Sequence, residues 1–355
     1  MMKSKGILFG LNYNYIEDAT LKGCINDAIY IGDFLKNILE IPVEIFTDDI
    51  NTINTTYDGI LYNISKLAIE SYKDDLDFAW IHFSGHGTNV LYRTKEDGIL
   101  PSDCLSKGLI TADILNNLFS LFNPKTKIFF VCDACHSGTI AELNYSWGIN
   151  RKYVTENMNS KILSKMICIS GCLDNEVSED VFNILGDNKQ YGALSASIIT
   201  VLKYNPKLIE NIFDLVDEIR KQLYIYNIPQ YPELTSTYDL NIDPVVLLYT
   251  KKISKYYESP NTTKNIKLCD YIPPDSRPPT PVKNIYTRCI QPITNLQSPR
   301  VILYNNPPRI QYNNPHYQQQ FTQLLQQPLQ QSLQQQQYYY QQPIMQPYYQ
   351  QYSKL

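Results

Sequence analysis

Two short motifs, Ser84-Gly85-His86-Gly87 and Asp133-Ala134-Cys135-His136-Ser137-Gly138, each follow an apolar run that reads as a β-strand. A thiol with a pKa of about 8.5 is a weak nucleophile at neutral pH, and a neighbouring imidazole raises its thiolate fraction. His86 and Cys135, delivered at two strand ends, therefore suit the roles of base and nucleophile in covalent catalysis. The glycines flanking His86 let the backbone turn sharply and approach a substrate. The Gly87 N–H, with that of Cys135, is placed to receive a tetrahedral oxyanion.

Positioning such a pair requires a sheet whose strands end together. Short apolar runs at Gly6 to Leu11, Val43 to Phe46, Phe78 to Phe83, Lys127 to Cys132, Met166 to Ser170 and Pro244 to Tyr249 read as six strands. Helical spacing appears over Lys22 to Leu39, Ile60 to Ile69, Thr111 to Phe122 (capped by Thr111), Ala193 to Tyr204 and Leu208 to Tyr224. Strands alternating with helices predict an α/β fold with a mostly parallel six-stranded sheet covered on both faces. In such sheets the site gathers beyond the carboxyl ends of the strands, where both motifs sit.

Composition divides the chain near Thr250. Residues 251–355 hold 11 Lys/Arg against 3 acidic residues, which leaves 20 against 32 in residues 1–250. The acidic globular part, 1–250, favours cationic ligands and weighs against nucleic-acid binding. The Pro- and Asn-rich basic segment 251–317 and the Gln/Tyr/Pro-rich tract 318–355 lack the apolar burial needed to offset chain entropy, so both are expected to be flexible. Gln/Tyr runs also associate, which gives the tail a candidate role in self- or partner association. The eight cysteines are scattered, and no apolar run approaches the ~18 residues of a membrane span, so a cytoplasmic protein without membrane contact is expected.

The chain resembles the metacaspases, a family within the caspase-like clan of cysteine peptidases, over residues 5–250. The blocks that carry the likeness are Leu21-Lys22-Gly23-Cys24-Ile25-Asn26-Asp27-Ala28, Phe83 to Gly87, Asp133 to Gly138, Ile169-Ser170-Gly171-Cys172-Leu173-Asp174-Asn175-Glu176, Tyr191-Gly192-Ala193-Leu194-Ser195 and Pro229-Gln230-Tyr231-Pro232-Glu233-Leu234. Cys135 lies 49 positions after His86, which fits the ~50-residue spacing of caspase-type sites. The resemblance implies a caspase-like three-layer fold and hydrolysis of protein or peptide substrates after Arg or Lys. It further implies that Asp133 and Asp27 bind the substrate cation, with Cys24 and Ser84 lining the site. Chemically, a carboxylate pair matches a guanidinium fork or an ammonium.

No cofactor is required by this chemistry, but the resemblance also implies calcium stimulation, with Asp97, Asp113 and Glu142 near the family's metal positions. Here Ile99-Leu100-Pro101 replaces the usual acidic stretch and Ala112 stands where an Asp is common. The connection from Thr139 to Lys165 carries Arg151, Lys152, Lys161 and Lys165 as candidate self-cleavage positions. Tail residues such as Arg277, Arg288 and Arg300 are candidates to contact the acidic part. Three rivals compete: a Cys132/Cys135 redox pair, a four-thiolate metal site with Cys168 and Cys172, and a caspase-like scaffold acting through its tail. The redox reading leaves Ser84 to Gly87 unexplained, the metal reading needs Cys132 and Cys168, which lie within strand patterns and read as buried packing residues, and the scaffold predicts lost catalytic residues, whereas His86 and Cys135 are present.

Overall fold

The computed structural model describes residues 2–16, 19–50, 52–88, 97–135, 140–156, 160–171, 179–182, 187–228, 230–248 and 286–287. The chain divides into 1–307 and 308–355, and every described residue lies in the first part. The expectations for 251–317 and 318–355 thus fall outside the described residues, apart from Tyr286–Thr287.

Five strands form the parallel heart of the sheet: β1 (Ser4–Gly10), β2 (Val43–Thr47), β3 (Phe78–Ser84), β7 (Lys127–Asp133) and β10 (Met166–Ser170), in the spatial order β2-β1-β3-β7-β10. The intervening short strands are β4 (Gly87–Thr88), β5 (Gly98–Ile99) and β6 (Ile110–Thr111), which make a small antiparallel sheet, and the hairpin β8 (Tyr145–Trp147) with β9 (Tyr153–Glu156). Further on, β11 (Glu179–Phe182) pairs with β12 (Gln190–Gly192) on one side and β14 (Tyr286–Thr287) on the other. Strand β13 (Glu233–Ser236) joins the main sheet antiparallel to β10.

Alternate residues of the central strands feed two cores. In β3, Ala79, Ile81 and Phe83 face the same core as Ile128, Phe130 and Cys132 of β7. There they meet α2 (Tyr57–Lys73) through Ile60, Ile64 and Leu67, and α4 (Ala112–Phe119) through Leu115 and Phe119. Phe78, Trp80, Phe129 and Val131 face the opposite core, under α1 (Cys24–Asn37), α5 (Ala193–Tyr204) and α6 (Ile212–Ile225). Burial on both faces explains why these strands read as continuous apolar runs rather than alternating ones. The expected Thr111 cap is present, its hydroxyl accepting from the Ile114 N–H of α4.

Two expectations are corrected. The main sheet has eight strands rather than six: five are the expected ones, and to these are added β13 and the β8–β9 hairpin of the connection between the halves, which pairs onto β13. Its signal was present in the aromatic Tyr145-Ser146-Trp147 and the turn-forming Gly148-Ile149-Asn150 that follows. The run Pro244 to Tyr249 is not a strand over its described residues. Its backbone instead binds the start of α6 and the preceding turn, Pro244 O accepting from Ile212 N and Leu247 N donating to Ile209 O, while Val246 and Leu247 are buried. An apolar run can fill a core as coil when its polar backbone groups find such partners.

Trp80 is fully buried and meets Phe129 edge to face, with ring centroids 4.7 Å apart. Trp80→Ala is expected to cost ~3–5 kcal/mol in urea unfolding. Ile242→Ala, at a side chain 83% exposed, is expected to stay within ~0.5 kcal/mol.

Candidate active site

The two motifs meet because β3 and β7 are neighbours in register, Ser84 opposite Asp133. One step further, Gly85 N donates to the Asp133 carbonyl. Two steps further stand His86 and Cys135, both buried. The approach is so close that a Cβ on Gly87 would lie 2.1 Å from the Cys135 carbonyl oxygen, so no larger residue fits there without parting the two turns. The ladder bond between β4 and β5 runs from Leu100 N to His86 O, which leaves the Gly87 N–H out of that ladder.

His86 is held by the loop between β1 and α1. Its Nε2 lies 2.7 Å from the Ala19 carbonyl oxygen. A carbonyl only accepts, so Nε2 carries the proton and Nδ1 is left as the basic nitrogen. The His86 backbone N–H donates to the Tyr13 hydroxyl at 3.1 Å, and the two rings lie 4.7 Å apart. That hydroxyl in turn donates to the Leu100 carbonyl at 2.6 Å. Burial, with Cys104 and Tyr15 nearby, holds the Tyr13 phenol well above its ordinary range and keeps it a neutral donor.

Both carboxylates are fully buried and face the amino end of α5. Asp27, in the first turn of α1, accepts from the Ser84 hydroxyl at 2.6 Å and from Gly192 N at 2.8 and 3.1 Å. Asp133 accepts from the Ser195 N–H at 2.9 Å and its hydroxyl at 2.7 Å. Both carboxylates thus accept from N–H groups at or beside the start of α5, donors that a helix end leaves without intrahelical partners. Cys24 is buried at the start of α1, its N–H bound to Asn12 Oδ1. The sequence motifs thus come together as Cys24, Asp27, Ser84, His86, Gly87, Asp133 and Cys135.

Sequence reasoning gave no role to Tyr13, Ala19, Gly192 or Ser195. The last two lay in a quoted block, and a Ser three residues past a helix start is a visible signal. Ala19 acts through its backbone and carries none.

The other expected sites gather less well. Asp97 and Glu142 approach α4 through backbone bonds, Ala112 N to Asp97 O and Asn116 Nδ2 to Glu142 O. Asp113 accepts from Asn117 and faces Lys161 Nζ at 3.9 Å. Among the described residues no group of three or more His, Cys, Asp or Glu is placed to hold a metal ion. Of the self-cleavage candidates, Arg151 is bound by Asp214 and Asp217 at 2.8 and 2.9 Å, Lys161 by Asn117, and Lys165 by Asp243. Cys132 and Cys168 are buried free thiols inside strands, and burial pushes the Cys168 thiol far up. That leaves them as packing residues. Cys172, His136 and the rest of 136–139 lie outside the described residues, as do Arg277, Arg288 and Arg300.

A family model described as the caspase domain matches residues 5–241. Metacaspase-2 of Trypanosoma brucei brucei is 29% identical over 264 residues, covering 67% of this chain and 74% of the relative. Metacaspase-1 of Plasmodium falciparum is 30% identical over 221 residues, covering 57% of this chain and 35% of the relative. Caspase-1 from Spodoptera frugiperda aligns in structure over 66% of this chain and 87% of its own, at 15% identity and a TM-score of 0.42.

Gly87→Ala should force the two turns apart, at a cost of ~1–3 kcal/mol measured by urea unfolding.

Proposed function

Because this chain belongs to the caspase-domain family and is metacaspase-like, we propose that its cysteine peptidase chemistry is endoproteolysis after Arg or Lys, carried by Cys135 and His86. The observation that supports this specificity is the pair of buried carboxylates, Asp27 and Asp133, both gripped by neutral donors at one helix end beside the two catalytic turns. Their charge suits a guanidinium or ammonium, and it would repel an acidic side chain. Cys24 and Ser84 line the same place.

In the proposed reaction His86 Nδ1 takes the proton from Cys135 Sγ as the sulfur attacks the scissile carbonyl carbon. The resulting oxyanion is met by the N–H groups of Gly87 and Cys135. The imidazolium then gives its proton to the leaving amine as the C–N bond breaks, which leaves a thioester. Water, deprotonated by His86, hydrolyses that acyl-enzyme and restores the thiol. The Ala19 carbonyl holds the ring in the tautomer this sequence needs and accepts a hydrogen bond from the imidazolium.

The substrates are proteins and peptides. No step is routed through calcium. The five described cysteines are free thiols, which supports a reducing, cytoplasmic setting. Among the described residues no helix is long and apolar enough to cross a membrane. Self-processing enters the proposal at Lys152: its backbone N–H is bound by Asn150, but its side chain, alone of the four basic ones in the connection, has no acidic or amide partner among the described residues.

The test is cleavage of fluorogenic peptide amides ending in Arg, Lys or Asp. Arg and Lys amides are expected to be cut and the Asp amide spared. Cys135→Ala and His86→Ala should abolish turnover, and Asp27→Asn or Asp133→Asn should lower kcat/KM at least tenfold, about 1.4 kcal/mol. Cleavage after Asp, or activity surviving in Cys135→Ala, would overturn the reading. Repeating the assay with calcium or a chelator decides stimulation, and mass spectrometry of incubated protein decides whether a Cys135-dependent cut appears after Lys152.

A further inference from the structure

Tyr13 and Ala19, from the connection between β1 and α1, touch His86 through three contacts. The Tyr13 hydroxyl accepts from the His86 backbone N–H, the Tyr13 ring lies tilted against the imidazole, and the Ala19 carbonyl accepts from the Nε2–H. The loop is itself internally bonded, Ile16 N to Tyr13 O and Ala19 N to Ile16 O, so Tyr13 and Ala19 move as one piece. Tyr13 adopts φ of 54°, a left-handed conformation that a tyrosine takes up only when its surroundings impose it.

What imposes it is Asp48, the residue after β2. Its two carboxylate oxygens accept the N–H groups of Asn12 at 2.9 Å and Tyr13 at 2.6 Å. Asn12 then accepts the N–H groups of Cys24 and Ile25 on its side-chain oxygen, fixing the start of α1 and with it Asp27. Gly85 completes the arrangement, since a Cβ there would stand 2.7 Å from the Tyr13 oxygen. The hydroxyl therefore occupies space that the glycine of the Ser-Gly-His-Gly motif vacates.

We propose that Tyr13 is a positioning residue for His86, its hydroxyl clamping the backbone at the histidine and its ring fixing the imidazole plane, with Asp48 as the anchor that holds the loop in place. This rests on the catalytic role given to His86 above. A ring that rocks away from Cys135 costs turnover rather than binding, because misplacing a catalytic group by ~1 Å costs up to ~100-fold.

The test uses the full-length chain with active sites titrated by a thiol-reactive inhibitor, so that only folded, reactive molecules are counted. Tyr13→Phe keeps the ring and removes the hydroxyl; kcat per active site on an Arg-peptide amide should fall roughly tenfold while KM changes less than about twofold. Tyr13→Ala should fall further. Asp48→Asn should show the same split, and Tyr226→Phe, at an exposed tyrosine, should match the unaltered protein. An unchanged kcat per active site in Tyr13→Phe overturns the inference, as does a loss confined to KM.

The rate of Cys135 carboxamidomethylation against pH, read by peptide mass, needs no turnover. The unaltered protein should react at pH values well below the ordinary thiol range, and Tyr13→Phe should lose part of that reactivity. If no peptide amide is cut but this difference persists, the substrate reading fails and the positioning role stands. If amides are cut and the two profiles coincide, the positioning role fails.

Discussion

The structure turns on the parallel pairing of β3 with β7, which sets Ser84 opposite Asp133 and carries both turns out of the sheet side by side. Each strand is buried on both faces, so a slip of one residue would expose Phe78, Trp80, Phe129 and Val131 to the wrong core. Register is therefore fixed by packing far from the chemistry. His86 and Cys135 inherit their spacing from it, and Gly87 lets the two turns close to a distance that a side chain there would forbid.

A second constraint arrives from the amino end of α5. Gly192 and Ser195 bind the two carboxylates, and these same contacts bring α1, β7 and α5 to one point. Burying a carboxylate is costly unless hydrogen bonds replace its hydration. Here the replacement comes from N–H groups that the helix start leaves unsatisfied in any case. The binding of the two buried carboxylates and the packing of α5 on the sheet are thus one arrangement, while Arg220 and Gln230 tie α6 and the segment before β13 to the Pro232 and Gly171 carbonyls.

His86 is secured from a third direction, by the loop that Asp48 anchors. Three layers of support around a buried imidazole and thiol limit the orientations each can adopt, which is the physical content of preorganisation. The extra hairpin β8–β9 adds to the same rigidity, because it covers the β13 edge that would otherwise be unpaired.

The sequence by itself determined the parallel core, the five helices and the chemical residues, because these leave local signals: apolar runs, helical spacing, a Thr cap and paired motifs at strand ends. It misread Pro244 to Tyr249, since an apolar run says that a segment is buried without saying whether its backbone bonds lie in a sheet. It also left the hairpin unseen. Tertiary structure alone decided the role of Ala19, which acts through a carbonyl, and of Tyr13, Asp48, Gly192 and Ser195, whose partners lie 35 to 165 residues away or across the sheet. Such contacts are set by how elements pack, and no pattern of neighbouring residues encodes them.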